Sequence, residues 1–175
     1  MSTETRGQTA DRHRRGGEGA VARCAVLTVS DSRTADTDVS GNMLAARLEG
    51  AGHEVVARGW VGDEPQEIGS QLTEWLERLD VEVIITTGGT GVSRRDTTIE
   101  VIKGLLDKRL DGFGELFRML SYEQVGSAAM MSRALAGLAG GVLLFAIPGS
   151  PAAVELALDK LVLPELPHLL FERSK

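Results

Sequence analysis

The stretch at residues 81–96, VEVIITTGGTGVSRRD, limits more than any other what this chain can fold into. Residues 83–85 form a short β-branched apolar run, which is typical of a strand buried on both faces of a parallel sheet. Gly88, Gly89 and Gly91 then follow within four positions. Because glycine lets the backbone turn sharply and has no Cβ to keep a ligand away, the pattern predicts a tight turn that a ligand can approach closely.

A helix is predicted directly after this glycine loop. Asp96, Thr97 and Thr98 precede the segment VIKGLL, so Asp96 or Thr97 is expected to cap the helix. A strand, a glycine turn and a helix N-terminus together favour anion binding, since free N–H groups and the positive end of the helix dipole converge there. The loop matches neither a Walker A sequence nor G-x-G-x-x-G, and a tight turn without a ligand explains it equally well on its own.

Apolar patterning along the rest of the chain predicts alternating strands and helices. Strands are expected at residues 23–29, 55–61, 83–87, 135–141 (with a turn) and 142–147, and helices at 43–52, 65–79, 97–106, 114–126 and 151–163. A turn is expected at residues 109–114 and a last short apolar piece at residues 164–171, and Tyr122 is interpreted as a packing residue. Such alternation predicts an α/β fold, a three-layer α/β/α sandwich with a mostly parallel, Rossmann-like central sheet. Residues 22–175 are interpreted as one domain, and residues 1–21, which have almost nothing to bury, as a disordered tail.

Composition narrows the classes of function. With 175 residues and 42% hydrophobic content the chain can bury a sizeable core, and its net charge of −6 gives no support to nucleic-acid binding. No apolar run is long enough to cross a membrane, and the start lacks the apolar segment of a signal peptide, so a cytoplasmic location is predicted. The single Cys24 excludes an internal disulfide and is interpreted as a small buried hydrophobe.

Polar loops follow the predicted strands, at the sheet edge where ligands of open α/β sheets collect. The first strand leads into Ser30, Asp31 and Ser32, and the last into Pro148, Gly149 and Ser150 before another helix. Ser150 is expected to cap that helix, with a proline at its first position. Asp63 lies in the turn after the second strand, where capping of the next helix explains it without any function.

These motifs, in this order, resemble the MoaB/Mog family of molybdenum-cofactor biosynthesis proteins. The resemblance rests on residues 87–91 (TGGTG), residues 95–98 (RDTT) and residues 148–151 (PGSP). The segments D-x-S-G at residues 38–41 and GFGELFR at residues 112–118 are similar to the MoaB branch in particular. The resemblance covers residues 22–170 and implies the molybdopterin-binding fold.

The resemblance also implies an activity. Family members of the Mog type adenylylate molybdopterin: its terminal phosphate attacks the α-phosphate of Mg-ATP, and pyrophosphate leaves. Asp63 and Asp96 match the two aspartates that this transfer requires, so they are the expected catalytic residues and Mg²⁺ ligands. The glycine loop, from Thr87 through Gly88, Gly89 and Thr90 to Gly91, would cradle phosphate with its backbone amides.

Other residues are assigned to ligands by the same resemblance. Ser132 and Arg133 match a segment that contacts molybdopterin, and Ser121 lies where another serine on the substrate side is expected. By the position of their loop, and not by the resemblance, Asp31 and Ser32 are candidate contacts to the nucleotide. Plain surface polarity is the alternative interpretation of Ser132 and Arg133.

Alternatives remain at this point. A MoaB-branch protein that binds or carries molybdopterin without turning over ATP fits the same motifs, and a hydrolase of nucleotide derivatives on the same fold fits them less well. The resemblance further implies a homo-oligomer, either a trimer or a hexamer, and other molybdenum-cofactor proteins as partners.

Overall fold

The structure is a computed structural model that describes residues 19–174. Its centre is a six-stranded sheet with the strand order β2-β1-β3-β6-β5-β4. The strands are β1 (Arg23–Val29), β2 (Glu54–Val61), β3 (Val83–Thr87), β4 (Lys108–Arg109), β5 (Leu135–Ala139) and β6 (Val142–Ile147). The neighbours β2, β1, β3 and β6 are parallel, whereas β5 and β4 pair antiparallel at one edge. The predicted, mostly parallel sheet is therefore confirmed.

Helices lie between the strands. They are α1 (Val39–Gly50), α2 (Pro65–Leu76), α3 (Thr98–Leu105), α4 (Asp111–Val125), α5 (Pro151–Ala157) and α6 (Leu163–Arg173). A 3₁₀ helix at Gly126–Met131 follows α4, and a π-helical turn at Leu158–Val162 joins α5 to α6. Within the described residues, no helix is both long and apolar enough to span a bilayer.

Two apolar cores, one on each face of the sheet, establish the three layers. One includes Leu44 of α1, Phe117 of α4 and Val154 of α5, and the other includes Ile68 of α2 and Ile102 of α3. All five side chains are almost inaccessible to solvent. The α/β/α sandwich expected from the sequence is confirmed, and β3 lies at its centre with every residue buried.

Cys24 lies in β1 and is fully buried, as predicted. Burial, and to a smaller extent the charge of Glu82, raises the pKa of its thiol to about 12. A thiol with so high a pKa carries almost no thiolate at neutral pH and acts as a packing residue.

Several local expectations need correction. Residues 109–114, predicted as a turn, contain the start of α4 at Asp111, because both glycines there tolerate helical geometry. Tyr122, expected to pack, is 64% exposed because it lies on the outer side of α4. Helix α2 ends at Leu76 rather than near residue 79. Residues 164–171, expected as a short apolar piece, belong to the complete helix α6 (Leu163–Arg173). Most of the predicted tail lies outside the described residues.

Candidate functional site

The glycine loop leaves β3 under strict steric limits. Gly88 has φ of +100° and Gly89 of +60°, a region that side chains other than glycine avoid. A Cβ on Gly88 would lie 2.2 Å from the carbonyl oxygen of Val29, and one on Gly89 would lie 2.1 Å from Oγ1 of Thr98. The loop therefore follows the ends of β1 and α3 so closely that glycine is required at both positions.

The segment after β6 forms the facing wall. The Thr87 hydroxyl donates to the Pro148 carbonyl at 3.2 Å, and a Cβ on Gly149 would lie 3.2 Å from Cα of Gly88. Ser150 accepts from the backbone N–H of Ala153 and caps α5, as predicted. Its hydroxyl is thus used by the helix.

A cavity of about 410 Å³ lies against this loop. Its lining includes the four loop residues, the carboxylate-bearing residue after them, two residues of the facing wall and three from the 3₁₀ helix region: Gly88, Gly89, Thr90, Gly91, Asp96, Pro148, Gly149, Ala128, Met131 and Ser132. The predicted site residues of the glycine loop and Asp96 therefore line the same cavity as the predicted residues Ser132, Pro148 and Gly149.

A second, smaller cavity of about 230 Å³ lies on the β1 side of the same loop. Ser30, Thr87, Gly88 and Gly149 line it together with polar residues at the start of α1. Ser30 continues the ladder, because its N–H donates to the Val61 carbonyl at 2.9 Å. The sequence-predicted loop after β1 is therefore next to the glycine loop, at the carboxyl ends of adjacent parallel strands, where open α/β sheets bind ligands.

Asp31 joins three loops. Its carboxylate accepts from the N–H of Asp63 at 3.0 Å and from Nη2 of Arg95 at 2.9 Å, and Arg95 also contacts Glu64 at 3.1 Å. The Asp63 N–H, and then the Arg95 guanidinium, lower the pKa of Asp31. The loops after β1, β2 and β3 are thus linked through one ionised carboxylate. Ser32 stays exposed beside it and donates its N–H to the Ser30 hydroxyl.

Asp63 and Asp96 both border the glycine loop, and their pKa values are shifted in opposite directions. Burial, and then the negative charges of Asp31 and Asp96, raise the pKa of Asp63. Hydrogen bonds from Ser93, whose N–H lies 2.8 Å from Oδ2 of Asp96, lower the pKa of Asp96. Ideal Cβ atoms on Gly89 and Gly91 would lie 3.1 Å from Asp63 Oδ1 and 2.8 Å from Asp96 Oδ2. Both carboxylates therefore border the backbone that was predicted to hold phosphate.

The start of α3 differs in detail from the prediction. Thr97 occupies the cap position but makes no capping hydrogen bond with its side chain, whereas Asp96 bonds back to Ser93. The hydroxyls of Thr97 and Thr98 are buried, and neither has a hydrogen-bond partner among the described residues. A helix start with spare donors beside the loop suits an anionic ligand.

Sequence reasoning did not assign a site role to Asp38, which is only 1% exposed. Its carboxylate accepts from the Thr28 hydroxyl at 2.6 Å, from Nε1 of Trp60 at 2.9 Å and from the N–H of Gly41 at 2.8 Å. Ser40 beside it donates to the Gly149 carbonyl at 2.7 Å. The D-x-S-G segment therefore caps α1 and links this helix to the wall of the site. The capping role could have been predicted from the sequence, because an aspartate directly before a helix is a typical N-cap.

Ser132 borders the 410 Å³ cavity. Ser132 and Arg133 both border a further cavity of about 580 Å³, whose lining also includes Lys103, Arg109 and Arg118. The Arg133 guanidinium already contacts protein acceptors around the glycine loop. Ser121 is buried on α4 and lines neither cavity.

The described residues contain no group of three or more histidine, cysteine, aspartate or glutamate side chains placed to hold a metal. Magnesium does not require one, because it usually takes one or two carboxylates and completes its shell with water and substrate phosphates. Because burial and the nearby charges of Asp31 and Asp96 raise the pKa of Asp63, a bound cation would favour the ionised form of this carboxylate. Asp63 and Asp96 therefore fit a magnesium ion that arrives with a phosphate ligand.

Comparisons with known proteins agree with this arrangement. Residues 25–168 match the family model described as "Probable molybdopterin binding domain". Molybdenum cofactor biosynthesis protein B of Bacillus cereus is 49% identical over 86% of this chain and 89% of its own length, and that of Staphylococcus carnosus is 52% identical over 87% and 91%. A crystal structure of molybdenum cofactor biosynthesis protein B superposes with a TM-score of 0.87 at 47% identity, covering 89% of this chain and 97% of the other. The chain belongs to the molybdopterin-binding MoaB/Mog family.

Proposed function

We propose that this protein acts in molybdenum cofactor biosynthesis as a molybdopterin adenylyltransferase. The observation that carries the proposal is the pair Asp63 and Asp96, which borders the glycine loop while each carboxylate is held in a different electrostatic environment. Transfer of a nucleotidyl group depends on positioning and on offsetting the charge of the phosphates, which carboxylates beside the loop can assist by holding a metal ion. A binding role alone would not need the unfavourable proximity of Asp63 to other carboxylates.

The proposed reaction is a single displacement at phosphorus, balanced in atoms and charge. An oxygen of the terminal phosphate of molybdopterin forms a bond to the α-phosphorus of ATP, the bond from that phosphorus to the bridging oxygen breaks, and pyrophosphate leaves. Because the attacking oxygen is already ionised at neutral pH, the protein does not need a strong general base. Its task is to align two anions and to offset their repulsion.

The chain's residues supply that alignment. The amides of Gly89 and Thr90 and the start of α3 would receive phosphate oxygens, because they lie near the positive end of the helix dipole. The Gly88 amide is not available, since it donates to the Ile147 carbonyl at 3.1 Å. The cavities on both sides of Gly88 and Gly149 would hold the two substrates next to each other. Ser30 borders the smaller cavity, whereas Ser132 borders the larger one.

Magnesium, when bound, would neutralise part of the charge that builds on the transferring phosphates. Asp63 and Asp96 would hold it, and because the pKa of Asp63 is raised, a bound cation would stabilise the ionised form of this group. Arg95, which is paired with Asp31 and Glu64, already supplies a positive charge that acts on Asp63.

The test is to separate binding from transfer. Asp96→Asn keeps the size of the side chain and its bond to Ser93 but removes the charge, so it should abolish pyrophosphate release while molybdopterin binding, measured by fluorescence titration, stays within a few-fold of the wild type. Loss of both would contradict the role of Asp96. Molybdopterin binding by a wild type that releases no pyrophosphate would favour the carrier function instead.

A further inference from the structure

We propose that Arg133 is a positioning residue, which holds the glycine loop and Asp96 in place through their backbone carbonyls instead of binding a substrate phosphate. This inference concerns how the site is built and rests on the proposed function only for its kinetic test.

The contacts of Arg133 leave no guanidinium nitrogen without a protein acceptor. Nε donates to the Thr90 carbonyl at 3.2 Å, and Nη2 donates to the Asp96 carbonyl at 2.7 Å. Nη1 forms an ion pair with the Glu100 carboxylate. Because the planar guanidinium has its donors in a fixed fork, these three acceptors determine its position and orientation.

The three acceptors are the two ends of one irregular segment and the first turn of the helix that follows it. Residues 90–97 form no helix or strand, so their backbone depends on contacts from elsewhere. Within the segment, the Ser93 N–H donates to Asp96, and the Thr98 N–H donates to the Gly89 carbonyl. Arg133 adds the tie from outside, across 43 residues to Thr90 and 37 to Asp96.

The ion pair with Glu100 adds little to this tie. Glu100 is 55% exposed, so its ion pair with Arg133 contributes little to stability on its own. The bonds to the two backbone carbonyls are therefore the part of the fork that matters for the site.

The consequence is a specific pattern of effects. If Arg133 held a substrate phosphate, its loss would weaken molybdopterin binding and leave Asp96 unchanged. If it positions the loop, its loss displaces Asp96 and the loop amides, and a displacement of about 1 Å can lower a rate by roughly 10²-fold. Lysine distinguishes the cases further, since it keeps the positive charge but cannot donate to both carbonyls in fork geometry.

The experiment compares Arg133→Lys and Arg133→Gln with the wild type and with Arg47→Lys. Arg47 is a matched control because its guanidinium also bridges two acceptors, Asp159 and Glu155, away from the loop. We expect kcat for pyrophosphate release to fall about 10²-fold in both Arg133 variants with KM for molybdopterin nearly unchanged. Arg47→Lys should retain the wild-type kcat.

A second measurement does not depend on turnover. ¹H–¹⁵N NMR should show shifted amide resonances at Gly91 and Ser93 in both Arg133 variants and unchanged ones in Arg47→Lys. Unchanged amide resonances in the Arg133 variants, or an increase in the molybdopterin Kd of tenfold or more with kcat intact, would overturn the inference. If the wild type itself releases no pyrophosphate, the proposed function fails, and the NMR comparison still decides the role of Arg133.

Discussion

Asp63 is held at a cost to stability, because its carboxylate lies near the charges of Asp31 and Asp96 and is partly removed from water. Its folded pKa is raised above the ordinary 3.8, so its contribution to stability is present below that pH and is lost as the pH rises through the folded pKa. Asp63→Asn should therefore raise the urea midpoint at pH 7 while it abolishes pyrophosphate release. Such a gain in stability with a loss of activity is typical of a functional group.

Asp96 is the matched comparison for Asp63. Its folded pKa is lowered by the bonds from Ser93, so its contribution to stability is present above pH 3.8 and is lost as the pH falls through the folded pKa. Asp96→Asn should lower the urea midpoint at pH 7. The difference in urea midpoint between this variant and the wild type should become smaller at acidic pH. A fall in stability for Asp63→Asn as well would show that Asp63 acts structurally, as a partner of its loop.

His53 predicts a second dependence on pH, away from the site. It is 8% exposed, its Nδ1 accepts from the Ala22 N–H at 3.2 Å, and burial lowers its pKa from 6.5. Its neutral form stabilises the fold above pH 6.5, and this contribution is lost as the pH falls through the folded pKa. When the pH is lowered from 7.5 to 5.0, the urea midpoint of the wild type should therefore fall by more than that of His53→Asn, which has an oxygen in place of Nδ1. Equal losses would exclude His53 as the cause.

At the scale of elements, the start of α1 depends on the absence of one side chain. A Cβ on Gly41 would lie 2.1 Å from Oδ2 of Asp38 and 2.5 Å from Oγ1 of Thr28. Gly41→Ala should therefore break the cap and lower the free energy of unfolding by about 1–3 kcal/mol, measured by urea denaturation. Gly50→Ala, in the same helix and with nothing within 4 Å of its Cβ, should leave stability unchanged or raise it by about 0.4–1 kcal/mol. Equal effects of the two changes would contradict this account of the cap.

Patterns that depend on local chemistry were predictable from the sequence. The β-branched run before Gly88 gave β3, and the pair Ser150–Pro151 gave the start of α5, because strand burial and helix capping are decided by neighbouring residues. Residues 111–114 were misjudged because two glycines indicate a turn, although burial of Phe113 against Phe145 favours the helix.

Contacts between distant segments could not be read from the sequence in the same way. The fork of Arg133 onto Thr90 and Asp96 and the bond of Ser40 to Gly149 join residues separated by 37 to 109 positions. No local pattern encodes such pairs. The sequence therefore indicated which loops form the site, whereas the structure was needed to distinguish side chains that line a cavity from those that hold the loops in place.

At the scale of the whole molecule, one surface exposes a row of large apolar side chains. The side chains of Leu116, Met119, Tyr122 and Val125, every third residue of α4, are 47–64% exposed, and Met130 after them is 80% exposed. They form a slanting apolar stripe of a kind that marks interfaces. We expect the protein to assemble as the trimer or hexamer that the family resemblance implies, with this stripe covered.

Analytical ultracentrifugation tests this assembly. Met119→Asp should shift the protein to a smaller species, because it places a charge on the stripe. Leu79→Asp, at an isolated position that is 96% exposed, is the control and should sediment as the wild type does. A monomeric wild type, or equal behaviour of both variants, would contradict an interface at α4.

The measurement that tests the account most directly is pyrophosphate release from purified protein mixed with molybdopterin, ATP and magnesium, with Asp63→Ala alongside. We expect the wild type to release pyrophosphate only when molybdopterin, ATP and magnesium are all present. The variant should release none and should still bind molybdopterin. Binding of molybdopterin without release by the wild type, or equal release by Asp63→Ala, would contradict the transferase and return Asp63 to a purely structural role in the turn before α2.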